Sequence, residues 1–132
     1  MTKEELHRYQ ALKKEQAQIE EMLWEIQATM TAPKTSRIDG EPHGPSTGAG
    51  LENIVAKHLE LEERYNAKLE EIIATRLSIE QAIDCLEPTE RQLMRYRYID
   101  GLTWEEVCVA MTYSWRQTHR IHGRALNKLR EQ

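Results

Sequence analysis

Residues 86–130 read LEPTERQLMRYRYIDGLTWEEVCVAMTYSWRQTHRIHGRALNKLR, and this stretch contains start and stop signals for three short helices. Pro88 suits a first helical turn, because its missing N–H would have no partner there. Asp100–Gly101 ends that helix, since glycine readily adopts the left-handed conformation that follows a helix. The pattern predicts helices over Pro88 to Ile99, Trp104 to about Met111, and Trp115 to about Arg130.

The second and third of these helices each follow a predicted cap. In Thr103-Trp-Glu-Glu106 the threonine hydroxyl caps a backbone N–H while Glu106 reaches back, which is a capping box. Ser114-Trp-Arg-Gln117 repeats this pattern after a short turn that begins at Thr112. Two helices joined by a tight turn, the second of them basic, are typical of a helix-turn-helix, although a helical hairpin unrelated to DNA has the same outline.

The last predicted helix has two chemically different faces. At about 100° per residue, one face is directed to the core and holds Thr118, Ile121, His122, Ala125 and Leu129. Trp115 leans toward that side and is expected to pack there. The opposite face holds Arg116, Arg120, Gly123 and Asn127, flanked by Gln117, His119 and Arg124. Arginine can pair with guanine and Gln or Asn with adenine, so this face suits the major groove of DNA.

Charge is distributed unevenly along the chain. The net charge is −4, but residues 1–87 carry −7 and residues 88–132 carry +3. The segment from Thr112 to Arg130 has no acidic residue and five basic ones: Arg116, Arg120, Arg124, Lys128 and Arg130. A basic segment on an acidic chain indicates a polyanionic partner. The predicted DNA contacts are Arg116, Gln117, His119, Arg120, Gly123, Arg124, Asn127 and Lys128.

Gly123 is unusual on the outward face of a helix, where glycine costs about 1 kcal/mol of helix propensity. We interpret it as a position where the backbone closely approaches DNA. Leucine at this position is therefore expected to weaken DNA binding without unfolding the domain.

The preceding residues are predicted to form a helical scaffold, with a helix in residues 1–32, a flexible Pro/Gly-rich linker over 33–50 and a long coiled-coil-like helix over 51–86. In the long helix, positions from His58 to Leu86 follow the alternating spacing of a coiled coil, although His58, Glu62 and Arg76 interrupt its apolar seam. The linker permits two pairings of the helices, as an antiparallel hairpin within one chain or between subunits. Residues 87–132 form the predicted DNA-binding domain. Its small three-helix core is expected to contain ten residues: Leu93, Met94, Tyr96, Tyr98, Leu102, Val107, Met111, Ile121, Leu126 and Leu129.

Composition excludes several classes of protein. The chain has 132 residues, of which 39% are hydrophobic and 30% charged, and no apolar run approaches the roughly 20 residues of a membrane span. The first residues, MTKEELHRYQ, lack a signal-peptide pattern. Cys85 and Cys108 have no CxxC spacing and are both expected to be small core residues in a reducing compartment. We therefore expect a cytoplasmic protein.

Neither a catalytic site nor a metal site is predicted. No serine or cysteine has a partner base at motif spacing, and the pair Glu105–Glu106 is explained by capping. His119 and His122 stand three residues apart, but zinc requires about four ligands, and only His58 and Cys108 remain to be proposed. The sequence predicts a non-enzyme with no cofactor.

The stretch 86–130 resembles region 4 of bacterial sigma factors in its LxPxER opening, its RYxxG-LT-xEE stretch and its basic helix ending in ALxKL. It resembles more closely the phage-encoded relatives of that module, the ArpU/RinA group of late-gene regulators, in which a tail like YSWRQxHRIHxRAL is characteristic. The resemblance implies that Arg116, His119 and Arg120 read promoter-like DNA. Sigma region 4 has Arg and Glu where this chain has Trp115 and Arg116, which argues against the usual −35 sequence as the target.

The fold predicted from pattern and resemblance together is all-α, a long helical hairpin or coiled-coil segment followed by a sigma region 4-like helix-turn-helix. The predicted function is that of a phage or prophage transcription regulator that binds double-stranded DNA as a homo-oligomer, with a dimer favoured, and that also has RNA polymerase as a candidate partner. Two alternatives stay open. One is a small terminase subunit, which recognises DNA for packaging; the other is a sigma-like adaptor that binds polymerase without reading DNA.

Overall fold

A computed structural model of the protein describes residues 1–31 and 46–131. All regular elements within those residues are helical: α1 (Lys3–Thr31), α2 (Ser46–Ile83), α3 (Pro88–Met94), a π-helical segment (Arg95–Ile99), α4 (Trp104–Met111) and α5 (Trp115–Arg130). This confirms the predicted all-α class, in which long helices precede a helix-turn-helix domain.

The long helices differ slightly from the predicted ranges. α2 begins at Ser46, within the segment predicted as linker, and it ends at Ile83. The predicted flexibility of the linker lies outside the described residues over most of its length. After α2 the chain turns, with Leu86 N donating to Ile83 O at 3.0 Å, and Pro88 opens α3.

The chain divides into two compact units. One unit contains Met1–Lys14 together with the chain from Glu70 onward, and the other contains Glu15–Leu69. Both long helices therefore contribute to the first unit. The reason is packing, because Leu6 of α1 and Ile79 of α2 are fully buried in the same apolar core as α3, α4 and α5.

The core of the helix-turn-helix follows the prediction closely. Ten residues were expected there, and six of them are buried: Leu93, Met94, Tyr98, Val107, Ile121 and Leu129. The other four are partly buried against the same cluster: Tyr96, Leu102, Met111 and Leu126. Cys108 is also partly buried, with its Sγ donating to Thr118 Oγ1 at 3.4 Å. Cys85 is exposed, so its predicted core position is wrong.

The second unit pairs the C-terminal part of α1 with the N-terminal part of α2. Ile19 and Leu61 are buried in it, and Lys68 Nζ forms an ion pair with Glu15 Oε2 at 2.7 Å. The two helices of this unit are thus paired within one chain. Pairing between subunits remains a prediction.

The first turns of α1 also close the end of the π-helical segment. Asp100 N donates to Arg95 O at 2.9 Å, which is the i to i+5 bond of a π-helix, where the sequence predicted an uninterrupted α-helix to Ile99. Gln10 Nε2 donates to Tyr98 O at 3.1 Å and to Ile99 O at 3.0 Å. Gly101 follows at a φ of 73°, in the left-handed conformation that its position predicted.

Candidate nucleic-acid interface

The turn between α4 and α5 fixes where the last helix begins. Thr112 adopts the left-handed conformation, with φ 57° and ψ 37°, directly after α4. At the start of α4, Thr103 Oγ1 accepts from Glu106 N at 3.2 Å and Glu106 Oε1 accepts from Thr103 N at 3.1 Å, a complete capping box.

The start of α5 has half of such a box. Ser114 Oγ accepts from Gln117 N at 3.1 Å, but within the described structure the reciprocal bond from the Gln117 side chain is not formed. Gln117 instead lies exposed to solvent. One backbone donor at the helix start is thus capped, and the Gln117 amide is left available for other partners.

α5 packs on α3 and α4 through one face. Its buried residues are the five that the helical periodicity assigned to the core: Thr118, Ile121, His122, Ala125 and Leu129. The side chains of Arg116, Gln117, Arg120, Arg124 and Asn127 are exposed, and Gly123 lies partly exposed among them. The helix therefore separates an apolar, packed face from a polar, solvent-facing one.

The exposed face is strongly cationic. Arg116, Arg120, Arg124 and Arg130 are all exposed, and within the described residues none of these four forms an ion pair. Their guanidinium groups are thus available to an external anion. Arginine is always charged near neutral pH and presents a planar fork of donors that suits guanine edges and phosphates alike.

Lys128 differs from these arginines because it has an internal partner. Its Nζ lies 2.7 Å from Oε1 of Glu90, a residue that is only 2% exposed, and 4.0 Å from Oε1 of Glu87. The hydrogen bond to Glu90 raises the pKa of Lys128 above its usual value. Lys128 joins α5 to α3 and neutralises a buried carboxylate, so its amine already has a partner within the domain. Its contact with DNA stays a prediction.

His119 also differs from its predicted position on the outward face. Its ring lies between the indoles of Trp104 and Trp115, with ring centroids 4.4 Å and 4.5 Å away. Trp115, which was expected to pack toward the core, is 53% exposed. Trp115 is exposed because it is the first residue of α5 and lies beyond the edge of the core on which that helix packs.

His122 lies below this layer and connects α5 to the π-helical segment. It is 6% exposed, its Nε2 forms a 2.7 Å hydrogen bond with the Tyr98 hydroxyl, and its ring packs on Trp104. The pKa of His122 is lowered to about 4, mainly by burial and to a smaller extent by four neighbouring groups that carry or acquire positive charge: Lys3, His119, Arg97 and His7. Burial raises the pKa of Tyr98 to about 12.

We expect the domain to lose stability in mild acid through His122. In the unfolded chain a histidine titrates near 6.5, whereas His122 in the fold titrates at about 4, so the unfolded state binds more protons between these values. The neutral-His122 stabilisation is fully present above pH 6.5 and is lost as the pH falls toward 4, with about 2 kcal/mol gone at pH 5. Urea unfolding at pH 7.5 and 5 measures this loss.

A His122→Gln variant is the control for this pH dependence, because carboxylates and His7 titrate in both proteins. The variant is less stable at pH 7.5 but should lose markedly less on acidification than the parent chain. Equal losses in the two proteins would contradict the assignment to His122.

The sequence of the C-terminal helices is similar to a known family. Residues 82–131, fewer than half of the chain, match the family described as Sigma-70, region 4. The C-terminal helices thus form a helix-turn-helix domain of the sigma-70 region 4 type, a type that binds DNA. No curated protein and no solved structure matches the chain.

Membrane-spanning and metal-binding features are absent from the residues that the structure describes. None of their helices is both long enough and apolar enough to cross a membrane. No group of three or more His, Cys, Asp or Glu side chains in the same residues is arranged to hold a metal ion.

Proposed function

We propose that the protein is a phage or prophage transcription regulator that recognises promoter-like DNA by inserting α5 into the major groove. The observation that carries this proposal is the division of α5 into a fully packed apolar face and an exposed face with four arginines that have no ion-pair partner among the described residues. The N-terminal part of a recognition helix contacts base edges in helix-turn-helix proteins. The phage origin rests on the resemblance of the α5 sequence to the ArpU/RinA group.

The exposed residues divide by their position along α5. Arg116, Gln117 and Arg120 occupy the first turns, and we assign them to base edges, since Arg can pair with guanine and Gln with adenine. Arg124 and Asn127 follow on the same side, where contacts to the groove wall and phosphates position the helix.

Two of the three remaining predicted contacts act through other residues. His119 supports the start of the helix from between two indoles, and Lys128 fixes the far end of the helix to Glu90. Both therefore position α5 rather than contact DNA directly.

We further propose that the regulator acts as a dimer. A single short reading helix contacts few base pairs, and two-fold symmetry doubles the half-sites that are read. The long helices are the elements available to join subunits, because α2 leaves large apolar side chains such as Leu51, Val55 and Leu59 exposed. RNA polymerase is a further partner consistent with the region 4 type of domain.

Selection of bound fragments from phage and host genomic DNA, run beside light scattering for mass, tests the proposal. A regulator enriches one sequence motif at promoters and has the mass of a dimer. A ring of about eight or more subunits with affinity for one packaging site would instead support a small terminase subunit. No enrichment of DNA, together with binding to polymerase, would support an adaptor.

Gly123 provides a separate test of the groove-facing surface. A Cβ placed on Gly123 meets nothing within 4 Å, so a side chain at this position fits the folded domain and gains helix propensity. We expect Gly123→Leu to keep or raise the melting temperature while weakening binding to the selected duplex by about tenfold or more, because the leucine fills the space that DNA backbone or bases would occupy. Gly123→Ala is the small-residue control, and equal affinity of all three proteins would exclude a close approach at this position.

A further inference from the structure

Four side chains from three elements form a column beside the start of α5. The guanidinium carbon of Arg97 lies 4.7 Å from the ring centroid of Trp104. The Trp104 ring is followed by that of His119 at 4.4 Å, and His119 is followed by Trp115 at 4.5 Å. Arg97 Nη1 also donates to Leu102 O at 2.9 Å, which anchors the base of the column to the backbone.

Trp115 is the outermost member of this column and is 53% exposed. It is the first residue of α5, directly beside Arg116 and at the end of the helix that we assign to base edges. Its neighbour His119 carries a buried Nε2 that has no hydrogen-bond partner in the described structure. The His119 ring therefore packs against the Trp115 ring although its Nε2 is shielded from water.

A supported aromatic ring on a surface is well suited to binding. Its rotamer is restricted before a partner arrives, so little conformational entropy is lost when the partner binds. Aromatic rings at protein interfaces also remove a large apolar area from water. The position at the start of α5 places this apolar surface among otherwise polar groups that suit base edges.

We propose that Trp115 is a specificity-determining residue that packs its indole against the C5-methyl group of a thymine in the major groove. Thymine is the base whose major-groove edge carries an apolar group, whereas the other edges present hydrogen-bond donors and acceptors. Covering those polar atoms with an indole ring would leave them without partners. The assignment rests on the proposed function, and His119 and Trp104 act in it as positioning residues.

Removing the methyl group of one thymine at a time tests the assignment. The full-length chain first selects a motif from a random duplex library, and each thymine of that motif is then replaced in turn by deoxyuracil, which removes one methyl group. We expect one position at which this replacement weakens binding about fourfold, the value that corresponds to one buried methyl group. Trp115→Ala should bind the thymine and uracil duplexes equally, and Trp115→Phe should retain part of the preference.

Two further variants separate positioning from contact. Trp24 is another exposed tryptophan, 71% accessible and remote in sequence from α5, so Trp24→Ala should keep the full thymine preference. His119→Ala leaves the indole unsupported and should reduce the preference while retaining binding to the motif.

The outcomes distinguish the two proposals. If the parent chain selects a motif but no thymine-to-uracil change weakens binding, or if Trp115→Ala selects the same motif with the same methyl sensitivity, the Trp115 assignment is wrong and DNA recognition by α5 stands. If the parent chain selects no motif at all, the proposed function fails and the assignment fails with it.

Discussion

Replacing Arg116 and Arg120 together with alanine is expected to remove most sequence-specific DNA binding. A base-contacting arginine contributes about 1–3 kcal/mol, so the pair corresponds to a loss of roughly 30-fold or more in affinity for the selected duplex. Both residues are exposed on α5, and neither has an ion-pair partner among the described residues. The double variant should therefore fold normally, and fluorescence anisotropy with a labelled duplex measures the effect.

The control for this variant removes the same charge from another surface. Arg8 and Arg64 are exposed on α1 and α2, so Arg8→Ala with Arg64→Ala changes the net charge equally. If only overall charge mattered, both double variants would weaken binding alike. We expect the control to change affinity by less than about threefold, because neither arginine belongs to α5 and charges outside the DNA contact are largely screened at physiological salt.

A second comparison separates recognition of the DNA bases from attraction to the phosphate charge. The Arg116 and Arg120 variant should lose affinity for the selected duplex far more than for a scrambled duplex of the same length, since contacts to phosphates carry no sequence information. Equal affinity of the parent and the variant for the selected duplex would contradict base reading by α5. That result would support the adaptor, which binds polymerase through the same fold.

The α5 helix shows what the sequence was able to predict. Its five buried residues, from Thr118 to Leu129, are the ones that a period of 3.6 residues assigned to the core. The Thr103 cap and the left-handed Gly101 were also readable from residue type alone, since local backbone chemistry determines them. These features depend on neighbours within a few positions in the chain.

The features that were not predicted depend on contacts between distant parts of the chain. The charge of Lys128 predicts a contact with DNA, but its amine donates a hydrogen bond to Glu90, which is 38 residues away in the chain. Trp115 is exposed although its angular position favours the core, because a helical wheel does not show where a core ends along a helix axis. The packing of α1 into the helix-turn-helix core could not be predicted from the sequence either. The spacing of Leu6 and Tyr9 is that of any amphipathic helix and does not indicate the partner on which the helix packs.

Some signal for the Trp115 surface was nevertheless present in the sequence. Trp104 and Trp115 both directly follow a capping residue, and so both begin a helix. Two large aromatics at equivalent positions of adjacent helices are brought close by the tight turn between α4 and α5. His119, one turn after Trp115, then lies between them. This spacing would have favoured an aromatic cluster over separate core positions.

The largest expected effect on stability comes from Tyr98→Ala. Tyr98 is 1% exposed and is among the largest side chains that are fully buried. Truncating a buried aromatic residue to alanine costs about 3–5 kcal/mol, from lost apolar burial and the cavity that remains. The loss should be at the upper end of that range, because the variant also leaves His122 Nε2 without its 2.7 Å hydrogen bond. Urea unfolding at pH 7.5 measures it.

Tyr98 joins elements that are far apart in the chain, so its loss should also affect DNA binding. Its ring meets the His7 ring edge-on at a centroid distance of 5.4 Å, and its backbone carbonyl accepts from Gln10. On the other side its hydroxyl holds His122 of α5. The expected result is weakened DNA binding at temperatures where the variant is partly unfolded, with near-normal affinity when it is folded in the cold.

Two matched variants separate packing from hydrogen bonding at Tyr98. Tyr98→Phe keeps the ring and should cost only about 1–2 kcal/mol, the value for one buried hydrogen bond whose partner is left behind. Tyr96 lies in the same π-helical segment, but its ring is only partly buried. Tyr96→Ala should therefore lower the free energy of unfolding by less than Tyr98→Ala does. If Tyr98→Phe were as destabilising as Tyr98→Ala, the bond to His122 rather than the volume of the ring would dominate. A Tyr98→Phe and His122→Gln double-mutant cycle would then show a coupling free energy well above 1 kcal/mol, because each partner is buried and depends on the other for its hydrogen bond.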